Sequence, residues 1–152
     1  MLLLSGLCLC VSGTLASDEI VSQRISGSDF AATREALIET IESAGMVVSA
    51  QIPFNKMLER TASTLSDGAP SPFIQAEIVQ FCSSVLAWQL LAEAPEHIVL
   101  CPLSVTVFVR RSEPEIVVLA YRSPGDATPG RRQAEKLLRR LVDRSSELAR
   151  LR

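Results

Sequence analysis

Two cysteines and one histidine hold most of the reactive chemistry in this chain. Cys82 and Cys101 lie near the ends of the stretch FCSSVLAWQLLAEAPEHIVLCP, and His97, the single histidine of 152 residues, falls between them. Paired thiols oxidise to a bridge when their Cα atoms come within roughly 7 Å. A bridge closing the loop 83–100 would stabilise the fold by about 3 kcal/mol on the chain-entropy account. Two unbridged thiols packed as small apolar groups fit the same residues. So does a redox-active pair, if the positive end of a helix starting at Ser83-Ser84 stabilises a thiolate at Cys82. The fourth reading is a copper or haem site built from Cys82, Cys101 and His97, because thiolate and imidazole suit soft and borderline metals. Their spacing matches no standard zinc motif, and a histidine after Pro95-Glu96 also fits an ordinary loop residue.

The compartment decides what thiols do. Residues 1–16, MLLLSGLCLCVSGTLA, carry no charge and end in Thr14-Leu15-Ala16. An apolar run with small residues ahead of Ser17 predicts a secretory signal cut before that serine. Residues 17–152 then form the mature protein, periplasmic or secreted, and Cys8 and Cys10 leave with the signal. The alternative is a membrane anchor through residues 2–16, although a span needs about 20 residues. Two cysteines remaining in an oxidising compartment favour a bridge.

The elements that must position these residues follow from periodicity. Glu19–Ile25 reads as a first strand. Ser28 or Asp29 caps a helix with Phe30, Leu37, Ile38, Ile41 and Ala44 at helical spacing, and Gly45 ends it. Met46–Ile52 is a second strand and Phe54–Leu65 a short helix. Loop chemistry fills 66–72. Phe73–Phe81 is a third strand. A helix follows with Val85, Trp88, Leu91 and Ala92 as one stripe, and with aromatics at only 5% Trp88 and Tyr121 are expected to be core or interface residues rather than stacking platforms. Leu103–Val109 and Glu115–Tyr121 form a hairpin turned at Glu113-Pro114. A final helix over 131–151 carries Ala134, Leu137, Leu138, Leu141, Val142, Leu148 and Ala149 as one stripe. The expected architecture is α+β: about five strands, mostly antiparallel, with helices packed on one face. One domain accounts for the length.

Composition excludes several functions. The formal net charge is −2 and aromatics total 5%, which argues against nucleic acid and against stacking platforms for single strands. No phosphate-binding glycine loop, nucleophile elbow or HExxH pattern occurs. The carboxylates Asp67, Glu77, Glu93 and Glu96 show no spacing that separates them from surface charge. Charge is uneven, however: residues 131–152 hold eight basic and three acidic residues, a local net of +5. Arg131, Arg132, Arg139, Arg140 and Arg144 on that helix fit either its solvated side or contact with an anionic membrane surface. Packing is the preferred role of the helix, because an antiparallel sheet leaves an apolar face to be covered.

The phrases SDFAATREALIETIESAGMVVSAQIPF, QAEIVQFCSSVLAWQLLAEAP and LCPLSVTVFV resemble the domain of unknown function 302 family over about residues 25–122. The resemblance implies a β-α-β-β-β-β-α arrangement similar to half of the TATA-binding protein. Many members carry Gly, Asn and Pro around Phe81–Ser83 and Leu-Pro where Cys101-Pro102 stands; cysteine at both places looks like an exported subgroup. No activity comes with the resemblance. The sequence therefore predicts an exported, non-enzymatic binding or accessory domain with a structural disulfide, no cofactor, and a second copy of the chain as a compatible partner. The alternative is a thiol-redox, copper-handling or haem-handling protein using Cys82, Cys101 and His97.

Overall fold

The computed structural model describes residues 20–65 and 67–152. The expected signal segment, with Cys8 and Cys10, lies outside the described residues. Five strands and four helices follow in the order β1 (Ile20–Ile25), α1 (Phe30–Ser43), β2 (Val47–Ile52), α2 (Phe54–Leu65), β3 (Phe73–Cys82), α3 (Ser84–Glu93), β4 (Leu103–Arg110), β5 (Val117–Arg122) and α4 (Pro129–Ala149). A short 3-10 helix, Pro95–Leu100, joins α3 to β4. The strands form one sheet in the order β1-β5-β4-β3-β2, and every pairing is antiparallel. The α+β class and five-stranded antiparallel sheet are as the sequence reads. Relative to β-α-β-β-β-β-α, the chain adds α2 and α3 within the run of four strands.

Local chemistry accounts for the elements. Asp29 caps α1 by accepting from the Ala32 N–H at 2.8 Å, and the buried positions Thr33, Ala36, Leu37, Thr40 and Ile41 recur at helical spacing. Gly45 follows with φ of +76°, the left-handed turn that stops a helix at little cost only for a residue without Cβ. Strand β4, LSVTVFVR, alternates buried and half-buried positions without exception.

That alternation divides the sheet into two unlike faces. Leu103, Val105, Val107 and Val109 share one face with Phe81 and Val79 of β3 and with Val117, Leu119 and Tyr121 of β5. This face forms the core with Leu37 and Ile41 of α1, Leu86 and Leu90 of α3, and Ala134, Leu138, Leu141 and Val142 of α4. Each fully buried Leu, Ile or Val side chain there contributes roughly 1.5–3 kcal/mol before entropic costs. Ser145 and Ser146 are also buried on α4, each folding its hydroxyl back onto the carbonyl four residues earlier, Leu141 at 2.6 Å and Val142 at 2.8 Å.

Helix α3 departs from expectation. Leu86 and Leu90 face the core, whereas Val85 and Trp88 are exposed. The segment is apolar nearly all round, so several stripes compete, and the neighbours α4 and the 3-10 helix select one. Tyr121, by contrast, is buried as expected.

Candidate functional site

Both cysteines arrive at the same end of the sheet. Cys82 closes β3; Cys101 precedes β4 through a cis Cys101–Pro102 peptide, and Phe81 pairs with Leu103 between them. Burial pushes the Cys101 thiol up, and a charge on Cys82 would raise it further. Both are free thiols, Cys82 exposed and Cys101 half-buried, so the expected bridge is not formed. His97 does not join them. Its Nδ1 lies 3.1 Å from the Leu90 carbonyl oxygen and 3.7 Å from Glu93 Oε2, turned back onto α3. The 3-10 helix causes this, since the His97 N–H donates to Ala94 O and so winds the residue towards the end of α3. Among the described residues no group of three or more His, Cys, Asp or Glu could hold a metal ion. The residues proposed for copper or haem are thus not gathered into one ligand set.

The second face of the sheet holds a groove. Along β4 the side chains opposite the core are Ser104, Thr106, Phe108 and Arg110, and across the strands Ser22, Ala120 and Thr106 lie in one row. A groove of about 610 Å³ runs over them and round the end of the sheet to Leu103, Tyr121 and Leu138 of the core side, bounded by Val99, Leu100 and Pro102 at one end and by Arg110 at the other. Thr106 spends its hydroxyl on the Ala120 carbonyl at 3.0 Å. Arg110 is held at 3.1 Å by Glu113, which also takes both Arg24 nitrogens. The Arg24 hydrogen bond is the main reason the Glu113 carboxyl falls to about 2, with Arg110 adding to it against partial burial. Arg122 also lines the groove and makes no ion pair among the described residues. Among the described residues, those that line it include no carboxylate, imidazole or thiol. Such a concavity can bind a small molecule, with the hydroxyls of Ser22 and Ser104 open to it.

Two carboxylates do work that the sequence did not single out. Glu93, at the end of α3, accepts from the Thr128 hydroxyl at 2.5 Å and from the Gly130 N–H at 2.6 Å, and so caps α4. The Thr128 bond lowers its pKa most, with Gly130, His97 and Arg132 assisting against partial burial. A Cβ on residue 130 would stand 2.8 Å from Glu93 Oε2, so a side chain there would push the carboxylate off its cap. Glu135 accepts from Tyr121 at 2.9 Å, Ser123 at 2.8 Å and Arg139 at 2.8 Å, tying α4 to the end of β5. Apart from Arg139, one helical turn after Glu135, these partners are far apart in sequence, so no local spacing announces them. Glu77 meets Arg34 at 3.7 Å beneath α1, and Asp67 occupies a left-handed turn with φ of 50°.

The five arginines of α4 divide. Arg131 is spent on the Pro124 carbonyl and Arg139 on Glu135. Arg144 lies towards α1, beside Glu39 and Ser43. Arg132 and Arg140 line a recess shared with Gln89 of α3, together with Lys136, which the sequence reading omitted.

Residues 21–148 match the family described as domain of unknown function DUF302. The chain belongs to that family. A similar solved structure is that of an uncharacterized conserved DUF302 protein from Bacillus stearothermophilus, 17% identical, with a TM-score of 0.67 over 83% of this chain and 97% of that one. At that identity the likeness speaks for the fold alone. No curated protein matches the chain. Family and fold therefore agree with the resemblance read from the sequence, and neither assigns a reaction.

Proposed function

We propose that this DUF302 domain is an exported, non-enzymatic binding module that holds a small apolar ligand with an anionic end in the groove of the sheet. The observation that carries the reading is the groove itself. At about 610 Å³ it lies within the roughly 300–1,000 Å³ typical of small-molecule sites. Leu100, Pro102 and Phe108 supply apolar walls, Ser22 and Ser104 supply hydroxyls, and Arg122 supplies a positive charge. Export rests on the uncharged apolar run of residues 1–16. The thiols are accessory in this reading.

Titration of the full chain with 1-anilinonaphthalene-8-sulfonate, an apolar anion, tests the groove. Saturable fluorescence with one probe per chain is expected. Ser104→Phe, which fills the groove, should abolish it, and Arg122→Glu should weaken it several-fold. Probe binding unchanged by Ser104→Phe, in a protein with unaltered circular dichroism, refutes the reading. Export is checked by the N-terminal sequence of the protein recovered outside the cytoplasm, expected to begin at Ser17.

A further inference from the structure

Helix α3 and the 3-10 helix leave an apolar ridge uncovered. Trp88 is 76% exposed and Val85 74%, three residues apart on one side of α3, while Ile98 and Val99 of the adjoining 3-10 helix are 62% and 82% exposed. A soluble surface seldom sets its only tryptophan among large aliphatics in this way. Beside the ridge runs a basic strip. Arg132, Lys136 and Arg140 recur every four residues along α4 and share a recess of about 390 Å³ with Gln89, one helical turn after Val85 on α3. Arg132 spends one nitrogen on the Asp126 carbonyl at 2.8 Å. Lys136 and Arg140 meet no carboxylate among the described residues. Glu96 of the 3-10 helix and Glu93, whose charge is already taken up by Thr128, Gly130 and Arg132, are the acidic residues of this stretch, two negative charges against three positive ones.

We infer that this ridge and strip dock the domain on an anionic lipid surface. Trp88, Val85, Ile98 and Val99 would enter the headgroup boundary, and Arg132, Lys136 and Arg140 would meet lipid phosphates. The chemistry fits each part. An indole prefers the interface, where its ring is apolar-solvated and its N–H stays wet. A basic residue near an anionic leaflet gains about fivefold in binding. A protein partner would be expected to satisfy the bare cations with carboxylates, but it would need a complementary shape that nothing here prefigures; phosphates need none. The surface is distinct from an amphipathic use of α4, whose apolar stripe is already buried in the core.

Trp88 is the single tryptophan, so its emission reports on this ridge and not on the apolar N-terminal residues. Full chain mixed with vesicles of one-third phosphatidylglycerol in phosphatidylcholine should show a blue shift of Trp88 emission and quenching by acyl-brominated lipid. Both should fall with added salt and be far weaker with pure phosphatidylcholine. Lys136→Glu with Arg140→Glu should lower partitioning roughly tenfold or more. Ile98→Asp, at an exposed position outside the groove, should lower it while leaving the naphthalene probe's binding intact. Emission unmoved by anionic vesicles, even in chains that sediment with them, overturns the inference. An equal shift with neutral vesicles also overturns it, as does a concentration-dependent shift without vesicles, which would make a second copy the occupant.

Discussion

Replacing Glu135 with alanine should cost about 3 kcal/mol, and the arithmetic comes from three hydrogen bonds. Its carboxylate is 18% exposed and accepts from Tyr121, itself 3% exposed, and from Ser123. A bond to a charged acceptor contributes about 1.5–3 kcal/mol when shielded; partial exposure places each of these near the lower end. The third donor, Arg139, is 58% exposed and adds about 0.3–0.5 kcal/mol. Tyr121→Phe alone should cost about 1.5 kcal/mol, since it removes one donor and leaves Glu135 with two. The double variant should lose no more than Glu135→Ala, because the alanine already strands the phenol. The coupling between the two sites is therefore about 1.5 kcal/mol, measured by urea unfolding of all four proteins. Costs that add within about 0.5 kcal/mol would refute the idea that this carboxylate ties α4 to β5.

The same network has a pH signature. Burial raises the Glu135 carboxyl, but hydrogen bonds from Ser123, Tyr121 and Arg139 outweigh it and hold the group below the ordinary 4.5. A carboxyl depressed in the folded state stabilises fully above its unfolded value, and that contribution is lost as pH falls through the folded value. Wild-type stability should thus decline below about pH 4.5, and Glu135→Ala should decline less steeply over the same range. Parallel declines would show that Glu135 titrates alike in both states.

Two further predictions concern the stretch that the sequence made prominent. Leu90→Ala, at a fully buried position, should cost about 2–5 kcal/mol, whereas Trp88→Ala should cost less than about 0.5 kcal/mol; the reverse order in urea unfolding would mean that α3 packs by its other side. Iodoacetamide with peptide-resolved mass spectrometry should label Cys82 before Cys101, because the Cys101 thiol is pushed up by burial and by its neighbour, and Cys82→Ser should speed labelling of Cys101 at pH 8. Recovery of a Cys82–Cys101 crosslinked peptide from unreduced protein would refute the free-thiol arrangement.

The fold was legible where one periodicity ruled out the others. In β4, strict alternation of Leu103, Val105, Val107 and Val109 with Ser104, Thr106, Phe108 and Arg110 admits only a strand with one buried side. In α1, Asp29 and Gly45 mark both ends. Ser84–Glu93 offered no such contrast, so the stripe through Val85 and Trp88 competed with that through Leu86 and Leu90, and only packing could decide. Cys82 and Cys101 were legible as occupants of one sheet end, since each adjoins a strand terminus. Whether they bridge was not, because bridging depends on how closely the side chains approach, which the strand ends alone do not set. The groove was invisible for a different reason. Its residues are the half-polar members of strands, and a list of serine, threonine and arginine acquires meaning only when adjacent strands bring them into rows.

Helix α4 links the two proposed surfaces. Its first turn is held by Glu93 from the end of α3, and its second by Tyr121 and Ser123 at the end of β5. The 3-10 helix follows directly on Glu93 and packs against α3; it contributes Val99 and Leu100 to the groove and Ile98 and Val99 to the apolar ridge. A change that loosens the Glu93 cap should therefore disturb both surfaces together, since it frees the junction on which both depend. Ser104→Phe sits on β4 and Ile98→Asp on the outer side of the 3-10 helix, so each should disturb one surface alone. The positions of these residues, more than their chemical types, make the two functions separable by single substitutions.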